Sequence, residues 1–359
     1  MKERLVSLDV FRGATIAAMI LVNNAGDWDH VYRQLEHAPW DGCTLTDLIF
    51  PFFIFIMGVA IPLAFAKRTV PVAWPIARRT LLFVGLGLLL NAFPFNSPDP
   101  TRLPGVLQRI GLCYLVAAPL STRMSSRGLV VIALALLAGY CAALALGGDL
   151  TPEGNLGARI DRLLLGAPRL YHARDVHEGR WDPEGLLSTV PAIATALSGV
   201  LAGRWITSGH SGSERASGLF VAGLASIAAG LALSAWFPIN KNLWSASYVL
   251  FTSGLACQTL AACYWLVDLH EHRAWTKASL AFGRNAIFVY MASGLVARLL
   301  VFGIHVRVGD RDLAAKTWLY RSLFAESTCF TSALYAFLYA SAWCGIAALM
   351  DRKKIYVKV

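Results

Sequence analysis

One stretch of the chain places titratable side chains at the mouth of a very apolar segment. It reads HAPWDGCTLTDLIFPFFIFIMG from residue 37 to residue 58 and contains His37, Asp41 and Asp47. Histidine is the side chain whose ordinary pKa, about 6.5, allows it to accept a proton near neutral pH. A neighbouring carboxylate, from Asp41 or Asp47, can orient its ring for that task. The stretch indicates proton-transfer chemistry at this mouth, and an ordinary loop histidine is the alternative interpretation.

Polar side chains also lie inside the first apolar segment, SLDVFRGATIAAMILVNNAG. At 100° per residue, Asp9, Arg12 and Asn23 fall on one face of a helix. Charged groups within a spanning helix usually face a partner or a water-filled cavity. The face therefore predicts a polar stripe through the membrane. An Asp9–Arg12 pair with a capping asparagine remains the structural alternative.

Two later apolar segments repeat this feature. One carries Gln108 and Arg109 in LPGVLQRIGLCY, and the other carries Arg284, Asn285 and Arg298 in FGRNAIFVYMASGLVARLL. Arginines on three helices predict a shared cavity for an anion or a polar substrate, and arginine binds phosphate in a bidentate manner. The sequence has no P-loop and no GxGxxG motif between a strand and a helix, so nucleotide hydrolysis and a Rossmann fold are not supported.

The composition is that of a membrane protein. Hydrophobic residues make up 56% of the 359 residues and charged residues 15%, against about 25% charged in ordinary soluble domains. A spanning helix needs about 20 apolar residues, and no period-two alternation indicates a barrel. We predict an all-α, polytopic fold of about ten transmembrane helices around a central polar cavity, in a single domain, 1–359. The ten segments are 8–25, 45–66, 80–95, 104–121, 128–147, 185–206, 217–236, 244–266, 279–302 and 327–350.

The net charge of +10 is better explained by membrane topology than by binding to nucleic acid. The basic residues cluster at the ends of apolar segments, as the positive-inside rule expects. With a cytoplasmic N-terminus, that side receives sixteen Lys and Arg residues and the opposite side twelve. We therefore expect both termini to be cytoplasmic and the His37 stretch to face outward. The outward loop 148–184 is long enough to cap a cavity.

No metal site is expected. The seven cysteines form no CxxC pair, and no HExxH or other metal-ligand spacing occurs in the sequence. Most of the cysteines lie in apolar segments, where packed thiols are the simpler interpretation.

Several motifs together resemble one known family. They are SLDVFRG, LVNN, HAPWDGCTLTDLIFPFFIFIMG, LPGVLQRIGLCY, WDPEGLLSTVPAI, FPINKNLWSASYVL and FGRNAIFVY. Each is weak alone, but in this order they resemble the transmembrane acetyltransferase family of heparan-α-glucosaminide N-acetyltransferase and its bacterial relatives. The resemblance covers about residues 4–350. We expect the chain to correspond to the membrane core of that family, without a long N-terminal domain on the far side.

The resemblance implies an acetyl-CoA-dependent N-acetyltransferase in the bacterial inner membrane. Acetyl would pass from cytoplasmic acetyl-CoA, as co-substrate, to the amine of a glucosamine-type sugar at the periplasmic face. The histidine of the family's HA-x-W-N-G motif falls on His37, with Asp41 where asparagine is common. The family's first-helix asparagine falls on Asn23, although Asn24 follows directly. We expect His37 as general base and Asn23 as donor to the thioester oxygen, with Asp47 as a further member of the catalytic set.

The remaining site residues are assigned by location. The expected ligands of acetyl-CoA are Arg12, Gln108, Arg109, Arg284 and Asn285. The expected sugar-binding residues are Trp40, Asp41, Asp182, Glu184, Asn240 and Lys241.

Three alternatives stay open. An acetyl-His37 intermediate would replace direct transfer. An inner-membrane transporter of N-acetylglucosamine or a related sugar would use the same cavity, but a neutral-sugar carrier needs no phosphate ligands. An acyltransferase acting on a glycan or a lipid-linked sugar would change only the acceptor. A homodimer is a further expectation.

Overall fold

The computed structural model describes residues 5–65, 73–95, 100–171 and 181–357. Residues 172–180 of the predicted cap lie outside that range. Thirteen α-helices form the described fold: α1 Val6–Val22, α2 Leu45–Phe65, α3 Ala73–Ala92, α4 Val106–Arg123, α5 Ser126–Gly147, α6 Leu156–Leu165, α7 Thr189–Ile206, α8 Gly212–Leu233, α9 Ala246–Cys263, α10 Lys277–Arg284, α11 Ala286–Arg298, α12 Ala315–Leu323 and α13 Cys329–Arg352. The strands β1 His305–Val308 and β2 Arg311–Ala314 form an antiparallel hairpin.

Eight of the described helices are long and apolar enough to cross a membrane. They are α2, α3, α5, α7, α8 and α13, with α9 and α11 each extended by a π-helical turn to Leu269 and Gly303. The prediction of an all-α polytopic membrane protein is confirmed. The predicted segments 8–25 and 104–121 also form helices, but α1 has only 17 residues and α4 carries Gln108 and Arg109 in its first turn. Among the described residues, eight helices thus qualify as spans by length and composition.

The predicted segment 279–302 is not one helix. It is divided into α10 and α11 at Asn285, whose backbone leaves helical geometry at φ −119° and ψ 30°. The Asn285 side chain donates to the Ile355 carbonyl at 3.1 Å and accepts from the Val357 amide at 3.0 Å. These bonds hold the C-terminal segment against the junction and leave Arg284 at the end of α10.

Helix α2 is held tightly against α7. Gly58 and Gly199 face each other, and a Cβ atom on either would lie 2.1 Å from a carbonyl oxygen of the opposite helix. Such a contact is open only to glycine, because any side chain would separate the backbones. The close packing fixes α2 within the bundle, and with it the acidic residue in its first turn.

Candidate active site

His37 and Asp47 form a hydrogen-bonded pair where the loop meets α2. Nδ1 of His37 lies 2.7 Å from Oδ1 of Asp47. The side chain of Asp47 is 1% exposed, whereas that of His37 is 52% exposed. A carboxylate only accepts hydrogen bonds, so the proton of a neutral His37 resides on Nδ1 and the lone pair on Nε2. The pair therefore has the arrangement of a general base oriented by a buried acid.

The local sequence explains why Asp47 is rigid. Thr44 directly precedes α2, and Asp47 is the third residue of that helix. Oδ2 of Asp47 accepts from the Thr44 amide at 3.0 Å and from the Thr44 hydroxyl at 3.1 Å. The Asp47 side chain thus caps the start of α2, as an acidic residue at the third helical position does in a capping box. The same oxygen accepts from the Ala38 amide at 3.0 Å, one residue after His37. The carboxylate thus joins the helix and the histidine loop.

Lys241 completes this centre. It lies in the loop between α8 and α9, and its Nζ is 3.0 Å from Nδ1 and 3.1 Å from Nε2 of His37. The same atom is 3.8 Å from Oδ1 of Asp47. Burial lowers the pKa of Lys241, while the carboxylates of Glu184 and Asp47 act in the opposite direction. Sequence reasoning assigned Lys241 to the sugar, and the structure places it against His37.

A buried cluster of ion pairs joins the loop before α4 to the loop before α7. Arg102 donates to both oxygens of Asp182, at 2.8 and 2.6 Å, and also pairs with Glu184. Burial disfavours the charged form of Glu184, but Arg102, Lys241 and Arg109 outweigh it and hold its pKa below the ordinary value. Asp182 and Glu184, predicted as sugar ligands, are therefore engaged by an arginine.

Aromatic and amide groups surround the mouth. The Trp40 ring meets the Trp181 ring edge to face at 5.3 Å between centroids, and its Nε1 donates to the Leu150 carbonyl at 3.0 Å. Asn240 is fully buried and donates to Oδ1 of the exposed Asp41 at 3.1 Å. Four of the predicted substrate residues, Trp40, Asp41, Asn240 and Lys241, thus lie in or directly beside the loop that carries His37.

Asn23 is at the C-terminal cap of α1 and is exposed. The described contacts of His37 are with Asp47 and Lys241 and do not include it. The neighbouring Asn24 is buried, but its amide donates to the carbonyl of Ile20 in its own helix at 2.7 Å. The assignment of Asn23 as an oxyanion donor stays a prediction.

A cavity of about 330 Å³ lies among α1, α2, α3, α4, α10 and α11. Its lining is mostly apolar, with three arginines, Arg12, Arg79 and Arg284. Arg12 pairs with Asp9 at 3.1 Å, and Arg284 with Asp351 at 2.7 Å. Both guanidinium groups thus lie at the cavity wall while paired with carboxylates.

Arg79 was missed as a site residue, because the sequence placed it in the loop before the predicted segment 80–95. The structure extends α3 back to Ala73 and brings Arg79 to the cavity wall. Its guanidinium lies 5.0 Å from the Tyr114 ring centroid and 5.7 Å from that of Phe83. Its Nε is buried with no hydrogen-bond partner in the described part of the chain. The predicted segment began at residue 80 rather than at Ala73, so Arg79 was left outside the predicted helix.

Three predicted acetyl-CoA ligands lie outside the cavity lining. Arg109 is 1% exposed, bonds to Ser188 and to the Gly185 carbonyl, and sits 4.9 Å from the Trp244 ring centroid. Gln108 donates to the Leu103 carbonyl at 3.0 Å, and Asn285 holds the C-terminal segment as described. Arg12 and Arg284 are the two predicted ligands that line the cavity.

The cavity and the histidine centre share helix α2. Phe53, Ile56, Met57 and Ala60 line the cavity, and Asp47 lies on the same helix, six residues before Phe53. At 1.5 Å per residue, the cavity begins about 9 Å along the axis from the carboxylate. The cavity and the histidine centre are therefore separated by less than two helical turns along α2. Among the described residues, no three His, Cys, Asp or Glu side chains form a cluster suited to a metal ion.

Comparison with known proteins agrees with the motifs. Residues 4–227 match the family described as heparan-alpha-glucosaminide N-acetyltransferase, catalytic. The human heparan-alpha-glucosaminide N-acetyltransferase is 30% identical over 99% of this chain and 60% of its own length. The mouse protein of that name is 29% identical over 99% of this chain and 61% of its own length. The chain therefore spans about 60% of these relatives. It belongs to the heparan-alpha-glucosaminide N-acetyltransferase catalytic family.

Proposed function

We propose that this protein is a membrane acetyltransferase that moves acetyl from cytoplasmic acetyl-CoA to the amine of a glucosamine-type sugar at the periplasmic face of a bacterial inner membrane. One observation carries the proposal: helix α2 bears both Asp47 of an oriented His37–Asp47 pair and part of the wall of an arginine-bearing cavity. Membership of an N-acetyltransferase family supports acetyl as the group and an amine as the acceptor.

The cavity suits the co-substrate. CoA has phosphates at one end and a long, weakly polar arm that carries the thioester. Arg12, Arg79 and Arg284 offer guanidinium groups for the phosphates, and the apolar wall formed by α2 and α11 suits the arm. If both termini are cytoplasmic, as the distribution of basic residues favours, these arginines lie toward the cytoplasmic side.

The chemistry follows from the tautomer of His37. A sugar ammonium must lose a proton before its nitrogen can attack a thioester. As the uncharged amine bonds to the thioester carbon, its nitrogen must lose a further proton. The lone pair on Nε2 of His37 takes that proton, and Asp47 stabilises the resulting imidazolium. Such a base contributes about 10²–10⁴-fold in rate. We favour direct transfer in a ternary complex, because the exposed side of His37 leaves room for the acceptor.

The acceptor lies at the outer mouth in this proposal. Trp40 and Trp181 form an aromatic surface of the kind that packs against a sugar ring, and Asp41 is an exposed hydrogen-bond acceptor beside it. Asp182 and Glu184 act on the acceptor indirectly, since Arg102 holds them. Asn23 remains a candidate donor to the thioester oxygen.

The test is acetyl-CoA binding by calorimetry, together with acetylation of glucosamine, for purified protein in detergent. We expect His37→Ala to lose at least about 100-fold in turnover and to keep its affinity for acetyl-CoA. His30→Ala is the matched control, because His30 forms an exposed pair with Asp27 at 3.0 Å and should keep full activity. Absence of acetyl-CoA binding by the parent protein would overturn the proposal, and so would full turnover by His37→Ala.

A further inference from the structure

The ammonium of Lys241 lies over the face of the His37 ring. Its Nζ is almost equally far from the two ring nitrogens, at 3.0 and 3.1 Å. An atom this close to both nitrogens cannot lie in the ring plane, because the carbon between them would be in the way. The lone pair of Nε2 points within that plane, so the ammonium leaves it accessible to an incoming acceptor.

This ammonium has donors to spare. It carries three N–H groups, and Nδ1 of His37 is itself a donor toward Asp47. Oδ1 of Asp47, at 3.8 Å, is beyond hydrogen-bond distance. Among the described residues, Nε2 of His37 is the one acceptor within reach of the Lys241 ammonium. Because the ammonium lies off the ring plane, it does not lie along the Nε2 lone pair. Most of this donor capacity therefore has no acceptor among the described residues and can serve a group bound beside His37.

The surroundings hold this side chain in place, and two carboxylates partly offset the burial that lowers its pKa. Lys241 is 9% exposed, and the Glu184 and Asp47 carboxylates attract its ammonium. Glu184 is held in turn by Arg102. The positive charge is thus buried and preorganised, which is the arrangement that stabilises a charge developing in a transition state.

We propose that Lys241 is a catalytic residue that donates a hydrogen bond to the carbonyl oxygen of the transferred acetyl group as it becomes an oxyanion. This inference rests on the proposed function. The acceptor nitrogen bonds to the thioester carbon, and the carbonyl electron pair moves onto the oxygen facing Lys241. His37 takes the proton from that nitrogen. The C–S bond then breaks, the thiolate leaves with the electron pair, and the imidazolium returns the proton to the sulfur.

Steady-state kinetics of Lys241→Met test this role, with glucosamine and acetyl-CoA varied separately. Loss of one oxyanion donor typically costs about 10²–10³-fold in kcat, so we expect a loss of that size with both KM values within about 3-fold of the parent. Lys241→Arg, which keeps the charge and the donors, should recover part of the lost kcat. Lys316→Met is the matched control, because Lys316 in α12 packs over the Trp28 ring at 5.4 Å and should leave kcat unchanged.

Each contrary outcome has a distinct meaning. A rise in KM for glucosamine alone would make Lys241 a sugar ligand and overturn the inference. An unchanged kcat would overturn it as well. Acetyl-CoA binding by calorimetry and the thermal midpoint show whether Lys241→Met has a folding defect. If it has one, Lys241→Arg decides the question. A Lys241→Arg variant that folds like the parent but recovers none of the lost kcat would overturn the proposal. Absence of turnover in the parent protein would instead overturn the proposed function.

Discussion

Replacing Asp47 by Asn separates orientation of the histidine from binding of the co-substrate. Oδ2 of Asp47 accepts three hydrogen bonds, from the Ala38 amide and from the amide and hydroxyl of Thr44. The single carbonyl oxygen of an asparagine should take that position, because its NH₂ group cannot accept from three donors. The NH₂ group then faces Nδ1 of His37.

The consequence is a change of tautomer. A donor opposite Nδ1 requires Nδ1 to accept, so the proton of neutral His37 moves to Nε2 and the lone pair needed for the acceptor is lost. A base held in the wrong tautomer loses about 10⁴-fold in kcat in the serine-protease triad. We expect about 10²–10⁴-fold here, with unchanged affinity for acetyl-CoA, since the cavity begins about 9 Å farther along α2.

The stability of the variant should fall only modestly. The same hydrogen bonds remain but lose their charge, which costs about 1–3 kcal/mol. Turnover, acetyl-CoA binding and the thermal midpoint would be measured side by side. Asp27→Asn is the control, since Asp27 forms the exposed pair with His30. Turnover of Asp47→Asn within about 3-fold of the parent would refute the tautomer argument, and a parallel loss of acetyl-CoA affinity would show that the variant disturbs the cavity.

Three further predictions concern the cavity and the buried charges. Arg79→Met should weaken acetyl-CoA binding by about 10-fold, the worth of one charge-assisted hydrogen bond, whereas Arg78→Met on the exposed side of α3 should not; equal affinities would remove Arg79 from the site. Arg102→Met removes the ion-pair partner of two buried carboxylates and should cost about 3–5 kcal/mol, seen as a lower thermal midpoint. Burial raises the pKa of Asp161 to about 6; because the folded state then binds the proton more tightly than the unfolded state, stability should fall by up to about 3 kcal/mol as pH rises from 4 to 6. Asp161→Asn should lack this loss, and identical pH profiles of the two thermal midpoints would contradict the assignment.

Much of the fold was accessible from hydrophobic patterning. Long apolar segments such as the one from Leu45 to Phe65 have no stable state in lipid except a helix, and the structure confirms the all-α architecture. The break at Asn285 was not accessible. Its cause is a contact with residues seventy positions later, at Ile355 and Val357, and a local pattern carries no information about such a partner.

The error in a predicted helix limit changed which residues were assigned to the cavity. The predicted third segment began at residue 80, one residue after Arg79, whereas α3 begins at Ala73. Arg79 therefore lies on the helix, at the wall of the cavity, rather than in a loop. Arg109, in contrast, was correctly placed on a helix, and its face turned out to point toward Gly185 and Ser188. Helical periodicity predicts which residues share a face, but the neighbour of that face depends on packing.

By itself, the sequence determined that the chain is a helical membrane protein, that polar groups lie within its helices, and that His37 stands beside acids at the start of α2. Its motifs also led to the family. Only the tertiary structure decided that Asp47 rather than Asp41 holds the ring, and that Lys241, more than 200 residues away, lies over it. The physical reason is that pairing in a buried site depends on distances of a few ångströms between segments remote in the chain, which composition and spacing do not encode.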